Sequence, residues 1–414
     1  MVSVDYAQGA SVPWGNDDSD APRYAGDGGA WTAQGGGGSG DGKGKKKDKS
    51  DKSGKGKSKD RSDKGDRSDK SDKSDKGQGK SWKNDSRAER TKVTKTLDRV
   101  EHDAGFDEGR SAIQRRLEVA AESSGKLSAV WSPSVESLLR FRPGMRVADI
   151  DGASCPGFDG TKADAERFIE LSAHQIAFYQ ELLYANGVDG GKRRMLVVLQ
   201  GMDASGKGGI VRHVFHQGNP MGISYHGFGK PTEEELQHDY LWRIRRELPK
   251  NGWIKVFDRS HYEDIVMPHV YGTYPEDVWR ARYDEINDFE ASLLDDGCSI
   301  IKIFLVVSRE CQKKHFLGRL DDPCKYWKFD PSDLDARARW DDYMDAWQEV
   351  FEKTSTRRAP WYLVPADHRW YSRAVVSELL RVGLRDMGLN WPPARFDMAE
   401  ARRRLEEEDH VVIG

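Results

Sequence analysis

Four short apolar runs punctuate the chain, at Met195–Gln200, Trp253–Phe257, Ser299–Val307 and Trp361–Val364. Each is continuous rather than alternating, as expected of a strand buried on both faces of a parallel sheet. Between the runs, apolar residues recur at helical spacing. Residues 163–185 place Phe168, Leu171, Ile176, Tyr179, Leu182 and Leu183 along one amphipathic helix, and Asn186-Gly187 predicts its end. A second helix is predicted from Thr232, which forms a capping box with Glu235, through Leu241 and Ile244 to a stop before Pro249. Further helices are predicted over about 332–353 and 372–387. Strands alternating with helices imply right-handed crossovers and a three-layer α/β domain around a central parallel sheet.

Polar residues are spread unevenly over the 414 positions, 33% of which are charged, with a mean hydropathy of −0.80. Residues 41–80 hold 16 Lys/Arg and 9 Asp, and Gly and Ser fill nearly all the rest. Such a segment has too little apolar surface to offset the entropy of ordering, so residues 1–80 read as a disordered tail. The tail carries a net charge of +3 and the remaining residues −6. It reads as a solvated extension; the competing reading is an arm that captures a polyanion by counterion release. Residues 81–135 read as a polar connector, 136–395 as the folded domain and 396–414 as a charged C-terminal segment. The N-terminus lacks the basic and apolar regions of a secretory signal, and no run approaches the ~18 apolar residues of a membrane span. A cytoplasmic protein with no membrane partner is therefore expected. Four cysteines without a C-x-x-C pair suit a reducing compartment. Cys311 and His315 share a helix face, but without a second pair they read as packing rather than as a zinc site.

The first apolar run leads into Gly201-Met-Asp-Ala-Ser-Gly-Lys-Gly-Gly209. This is a strand feeding a G-x-x-x-x-G-K loop. Gly201, Ala204, Ser205, Gly206 and Gly208 are its expected phosphate-binding residues, with backbone N–H groups turned toward one anion, and Lys207 adds a point charge. The hydroxyl that normally follows the lysine and ligates Mg²⁺ is missing, because Gly208 stands there. Asp203, inside the loop, is the nearest alternative oxygen. The second run ends in Asp258-Arg259-Ser260-His261-Tyr262-Glu263. Asp258 stands where a strand-end metal ligand would, Arg259 offers a planar fork to phosphoryl oxygens, and Tyr262 and Glu263 lie one turn on, within reach of a nucleotide. Taken alone, Asp258-Arg259 would be an ion pair at a strand end; beside a phosphate loop it gains meaning. After the third run come Lys313, Lys314, Arg319, Lys325 and Lys328, five cations in sixteen residues. An exposed basic helix is the plain reading. In kinases of the nucleoside monophosphate type a helical lid closes over phosphates at this point, and a substrate with many phosphates would need such a track.

Residues from about 138 to 393 resemble the polyphosphate kinase 2 family of P-loop phosphotransferases. The segments that carry the resemblance are Leu199–Lys207, Asn219-Pro220, Glu234–Arg243, Phe257–Ser260, Gln312–Lys314, Trp327–Phe329, Trp340–Met344 and Ala359–Ala366. The resemblance implies a P-loop kinase fold with a helical lid. It also implies Mg²⁺-dependent transfer of a phosphoryl group between inorganic polyphosphate and nucleoside mono- or diphosphates, with AMP and ADP as the expected acceptors. Asp203 and Asp258 would hold the metal, and Asp203 could also serve as acid or base. Lys207 would hold the transferred phosphate, Arg259 would bind phosphates, and the lid cations would guide polyphosphate. Glu263 resembles the branch with Tyr-Glu after the Arg-Ser pair, which commonly carries Asn where this chain has Asp258 and an acidic residue where it has Gly208. A homo-oligomer is expected and a nucleic-acid partner is not. Two other readings stay open on the residues alone: an ATP-dependent nucleoside monophosphate kinase of the thymidylate kinase type, and an idle polyphosphate-binding protein.

Overall fold

Strands that are apolar on both faces need cover on both sides, and the chain supplies it. The computed structural model describes residues 92–103, 127–216 and 218–408. Five strands, β1 (Arg194–Gln200), β2 (Ile223–Gly227), β3 (Ile254–Asp258), β4 (Cys298–Val306) and β5 (Trp361–Pro365), form one sheet. All pairs are parallel and the order is β2-β3-β1-β4-β5. Alternate residues of β1 enter separate cores. Met195, Val197 and Leu199 meet Phe168, Ile176 and Leu183 of the Lys162–Val188 helix and Tyr371, Val375 and Leu379 of the Arg369–Arg385 helix. Leu196 and Val198 meet Ile265, Trp279, Ile286, Trp347 and Val350 from the helices Glu263–Tyr271, Glu276–Asp295 and Trp340–Thr354. Each fully buried Leu, Ile or Val contributes about 1.5–3 kcal/mol relative to exposure. The parallel sheet and its helical layers are those expected from the sequence.

The details differ in five places. The edge strand β2 is not among the predicted strands: Ile223-Ser-Tyr-His-Gly227 is half-buried throughout and contains no apolar run. The first long helix does not stop at Asn186-Gly187 but continues to Val188. There Asn186 Nδ2 donates to Leu182 O at 2.7 Å and to Asn390 O at 2.9 Å, and Gly187 lies against Gly252. The capping box forms, with Thr232 N donating to Glu235 Oε2 at 2.8 Å and Glu235 N to Thr232 Oγ1 at 3.2 Å. It caps only a single turn, Glu235–Gln237, and the chain then forms the five-residue helix Trp242–Arg246. Asp239 interrupts the run by accepting from Leu241 N at 3.1 Å and from Arg245 Nη1 at 2.8 Å. The helix expected over 332–353 is two helices, Ser332–Ala338 and Trp340–Thr354, which part at Arg339, whose guanidinium donates to Val270 O. Finally, part of the stretch read as a polar connector is core. Val93, Leu97, Leu127, Val130 and Trp131 are buried, and the Trp131 ring lies 5.1 Å from Phe158 and 5.6 Å from Phe168.

Residues 1–80 lie outside the described residues. Within the C-terminal segment, Met398–Glu408 is helical and bears the pairs Arg403–Glu400 and Arg403–Glu407. Among the described residues no helix is long and apolar enough to cross a membrane.

Candidate active site

The glycine-rich loop expected to bind phosphate leaves the carboxyl end of β1, the middle strand. Gly201 has φ +143°, and a Cβ there would lie 2.8 Å from Leu305 O. Gly206 has φ +103°. Both positions need glycine, the first for space and the second for conformation. Ala204 takes φ +60° without being glycine, a conformation that costs about 1–3 kcal/mol and has to be held by its surroundings. Lys207 opens the following helix, and its ammonium donates to Gly201 O at 2.8 Å and Met202 O at 3.4 Å. Ser205 is buried. A Cβ on Gly208 would meet nothing within 4 Å, so space does not exclude the usual hydroxyl residue there.

Register brings the end of β3 beside this loop, because Leu199 pairs with Asp258. Arg259 sits at φ +63°, its N–H donating to Leu199 O at 3.0 Å, and its guanidinium meets Asp203 Oδ1 at 2.5 Å. Burial opposes ionisation of Asp203, but Arg259 and Lys207 outweigh it and hold the carboxyl below its usual range. Asp258 is pushed up by burial, which Lys207 and Arg259 offset only in part. Glu263 is raised for the same reason. Asp203, Asp258, Glu263, Lys207 and Arg259 are thus close enough for each to perturb its neighbours' ionisation.

The lid follows β4. In the helix Arg309–Leu320, Gln312, His315, Phe316 and Arg319 share the inward stripe, while Lys313 and Lys314 lie on the exposed side. The five predicted cations therefore separate. Arg319 faces the carboxylates: it helps hold Asp203 ionised, lies 3.6 Å from Asp333 Oδ2 and donates to Lys328 O at 2.8 Å. Lys325 pairs with Asp322 at 3.1 Å, and the Lys328 ammonium lies 5.2 Å from the Trp327 ring centroid. Asp333 is pushed up to about 6, first by burial and then by Asp203.

Tyr262 does not stand at the site expected for it. Helical rotation turns it away from the loop into the core, where it is fully buried. Its hydroxyl donates to Glu290 Oε1 at 2.7 Å and accepts from Lys302 Nζ at 2.9 Å. That side chain is committed to the buried network rather than to the loop. Glu263, the next residue, does face the loop.

A phosphate loop on the central strand, an Asp-Arg strand end beside it and a basic lid are common to many kinases, and comparison with known proteins narrows the choice. The family model for polyphosphate kinase 2 matches residues 161–388, a span that holds all five strands, the loop and the lid. The chain belongs to the polyphosphate kinase 2 family. It is 42% identical over 235 residues to the AMP/ADP-polyphosphate phosphotransferase of Meiothermus ruber, covering 57% of this chain and 86% of that one. It is 36% identical over 264 residues to the ADP-polyphosphate phosphotransferase of Rhodopseudomonas palustris, covering 60% and 90%. The crystal structure of polyphosphate kinase 2 from Arthrobacter aurescens superposes with a TM-score of 0.65 at 44% identity, over 67% of this chain and 98% of that one. Membership in the polyphosphate kinase 2 family sets aside the thymidylate-kinase-type reading.

Several polar residues at this family site carry no local sequence signal. Gln200 is the polar carboxyl-terminal residue of β1. With its amide nitrogen 3.0 Å from Glu263 Oε1, its oxygen accepts from Ser260 N at 3.1 Å, joining the ends of β1 and β3. Tyr225, on the unpredicted β2, donates to Asp258 Oδ2 at 3.4 Å, and burial and that carboxylate hold its phenol protonated. Asp333 is legible in the sequence only as a helix start.

Proposed function

We propose that the protein transfers phosphoryl groups between inorganic polyphosphate and nucleoside mono- or diphosphates, AMP and ADP among them. The observation that carries the reading is the Asp203–Arg259 pair, which joins the glycine-rich loop to the end of β3, with Asp258 and Glu263 beside it, in a chain of this family. Phosphoryl transfer needs charge neutralisation and in-line positioning more than covalent chemistry. Lys207 and Arg259 spread the charge that develops on the transferred group. Arg319 approaches from the lid, and closing the lid excludes water. Glu263 faces the acceptor side of the loop. The exposed Lys313 and Lys314 extend positive charge along the lid, where a long polyanion would run.

Magnesium fits the residues present. Asp203 is held ionised, and Asp258 and Glu263 are half-buried carboxylates that a nearby dication would help to ionise. Mg²⁺ commonly binds one or two carboxylates and takes its other ligands from phosphate and water. Among the described residues no three His, Cys, Asp or Glu side chains converge as a ready-made cage. Asp203 and Asp258 would hold the ion, which when bound neutralises phosphoryl oxygens. The four free cysteines support a reducing, cytoplasmic setting. A homo-oligomer remains an expectation that light scattering would read.

The deciding assay gives purified protein polyphosphate and Mg²⁺ with AMP, ADP, GMP or GDP, and no added ATP. Metal-dependent formation of the next higher nucleotide is expected. Binding of polyphosphate without turnover on any acceptor would instead favour an idle binding protein.

A further inference from the structure

The root of the lid is tied to the phosphate loop by side chains that take no part in the roles assigned so far. Gln312 is 1% exposed. Its Nε2 donates to the main-chain carbonyl of Asp203 at 2.9 Å, and its Oε1 accepts from Arg337 Nη1 at 2.9 Å. Arg337 Nη1 also donates to Arg309 O at 2.7 Å, so the amide is braced from a second helix. Three residues on, His315 Nδ1 lies 2.9 Å from Ala204 O. A carbonyl oxygen can only accept, so Nδ1 carries a proton. Nε2 of the same ring is 3.7 Å from Cys311 Sγ.

The two carbonyls held this way flank the left-handed Ala204. Peptide planarity extends the effect, because each carbonyl shares a rigid plane with the next N–H. Holding Asp203 O fixes the direction of the Ala204 N–H. Holding Ala204 O fixes the plane of Ser205 N–H, which donates to Met202 O at 3.1 Å. Together the two bonds set how the Asp203 side chain leaves the backbone toward Arg259. They also span 109 and 111 positions of sequence, so only the folded lid can supply them.

We propose that Gln312 and His315 are positioning residues: from the root of the lid they set the backbone of Asp203-Ala204-Ser205, so that displacement of the lid helix displaces the loop. The catalytic part of this proposal rests on the phosphotransferase reading above. Its test uses the full chain. Gln312→Met keeps length and burial but removes both hydrogen bonds. His315→Leu removes the donor, and His315→Asn keeps a donor near the Nδ1 position. For polyphosphate-driven ADP formation, kcat is expected to fall about 10- to 100-fold in Gln312→Met and His315→Leu, with the KM for AMP within about twofold of wild type. His315→Asn should recover most of the loss. Hydrogen exchange of residues 201–207 should accelerate in the two deficient variants while β1, β3 and β4 keep their protection. That measurement needs no turnover, so a wild type inactive with polyphosphate would overturn the functional reading while the clamp is still judged by exchange. Wild-type kcat and wild-type loop exchange in Gln312→Met would overturn the proposal. So would exchange that rises throughout the sheet with His315→Asn no better than His315→Leu, because that pattern assigns both residues to packing.

Discussion

Asp203 owes its charge to its neighbours: burial opposes ionisation, and Arg259 and Lys207 restore it. Asp203→Asn keeps the shape and removes the charge. It should retain the wild-type far-UV spectrum and lose activity by at least ~10²-fold, the scale of one preorganised electrostatic group. The deficit should be deepest at limiting Mg²⁺, and near-normal turnover there would refute the metal role. Lys207→Met should do comparable damage by stripping a cation from the loop. A third residue-scale test concerns stability. Burial pushes Asp264 up to about 6, against 3.8 for an unperturbed carboxyl. The folded state therefore holds this proton more tightly than the unfolded chain. The stability it contributes is complete below about pH 4 and is lost as pH rises through about 6. Measured at several pH values, the Tm of wild type should fall relative to that of Asp264→Asn between about pH 4 and pH 7. A constant difference would show that Asp264 does not titrate in that window.

At the scale of elements, what can be read from the sequence tracks how completely each element is buried. β1, β3, β4 and β5 are nearly continuous apolar runs because helices cover both faces, and each lies within a residue or two of its predicted place. β2 is only half-buried along its length, so Ile223-Ser-Tyr-His-Gly227 carries no such run, and Tyr225 is hidden with it. Asp203, Lys207, Asp258 and Arg259 are legible because a glycine-rich loop and a strand end are local features. The partners of Gln312, His315 and Asp333 are not, because they are set by tertiary contacts that no local spacing encodes. The helix that runs past Asn186-Gly187 shows the same override. A Cβ on Gly187 would lie 2.4 Å from Gly252 Cα and 2.7 Å from Asn251 O, both backbone atoms that cannot step aside. Gly187→Ala should therefore lower the urea midpoint by an amount equivalent to about 1–3 kcal/mol, although alanine is the better helix former. An unchanged midpoint would mean the helix end shifts freely. In the lid, neutralising Lys313 and Lys314 should raise the KM for long polyphosphate more than the KM for nucleotide. The penalty should shrink at high salt, since exposed charges are screened over ~8–10 Å. Equal KM increases would remove these lysines from the polyphosphate track.

For the whole molecule, two truncations separate tail from body. Deleting residues 1–80 should leave kcat unchanged, since the family match and every residue of the candidate site lie beyond residue 160. At most it should slow capture of long polyphosphate at low salt. Deleting residues 1–135 should behave differently, because it removes Val93, Leu97, Leu127, Val130 and Trp131 from the core. The rings of Phe158, Phe168 and Tyr371 would lose their Trp131 neighbour. A large fall in Tm is expected for that chain. A shorter chain as stable as the full one would return those residues to the status of a connector.

The strand order also dictates how the protein must be made. β1 is central, and its two neighbours are strands that arrive later in the chain, at residues 254–258 and 298–306. A ribosome that has released β1 must therefore produce about a hundred further residues before that strand is flanked on both sides. Until then the nascent chain carries a strongly apolar ribbon with an open edge, the species most prone to associate with its own kind. Parallel pairing across such separations is slow. Fragments ending before residue 298 should consequently be insoluble or chaperone-bound even though they contain the whole phosphate loop. Output of soluble enzyme should depend on how quickly synthesis passes through β4.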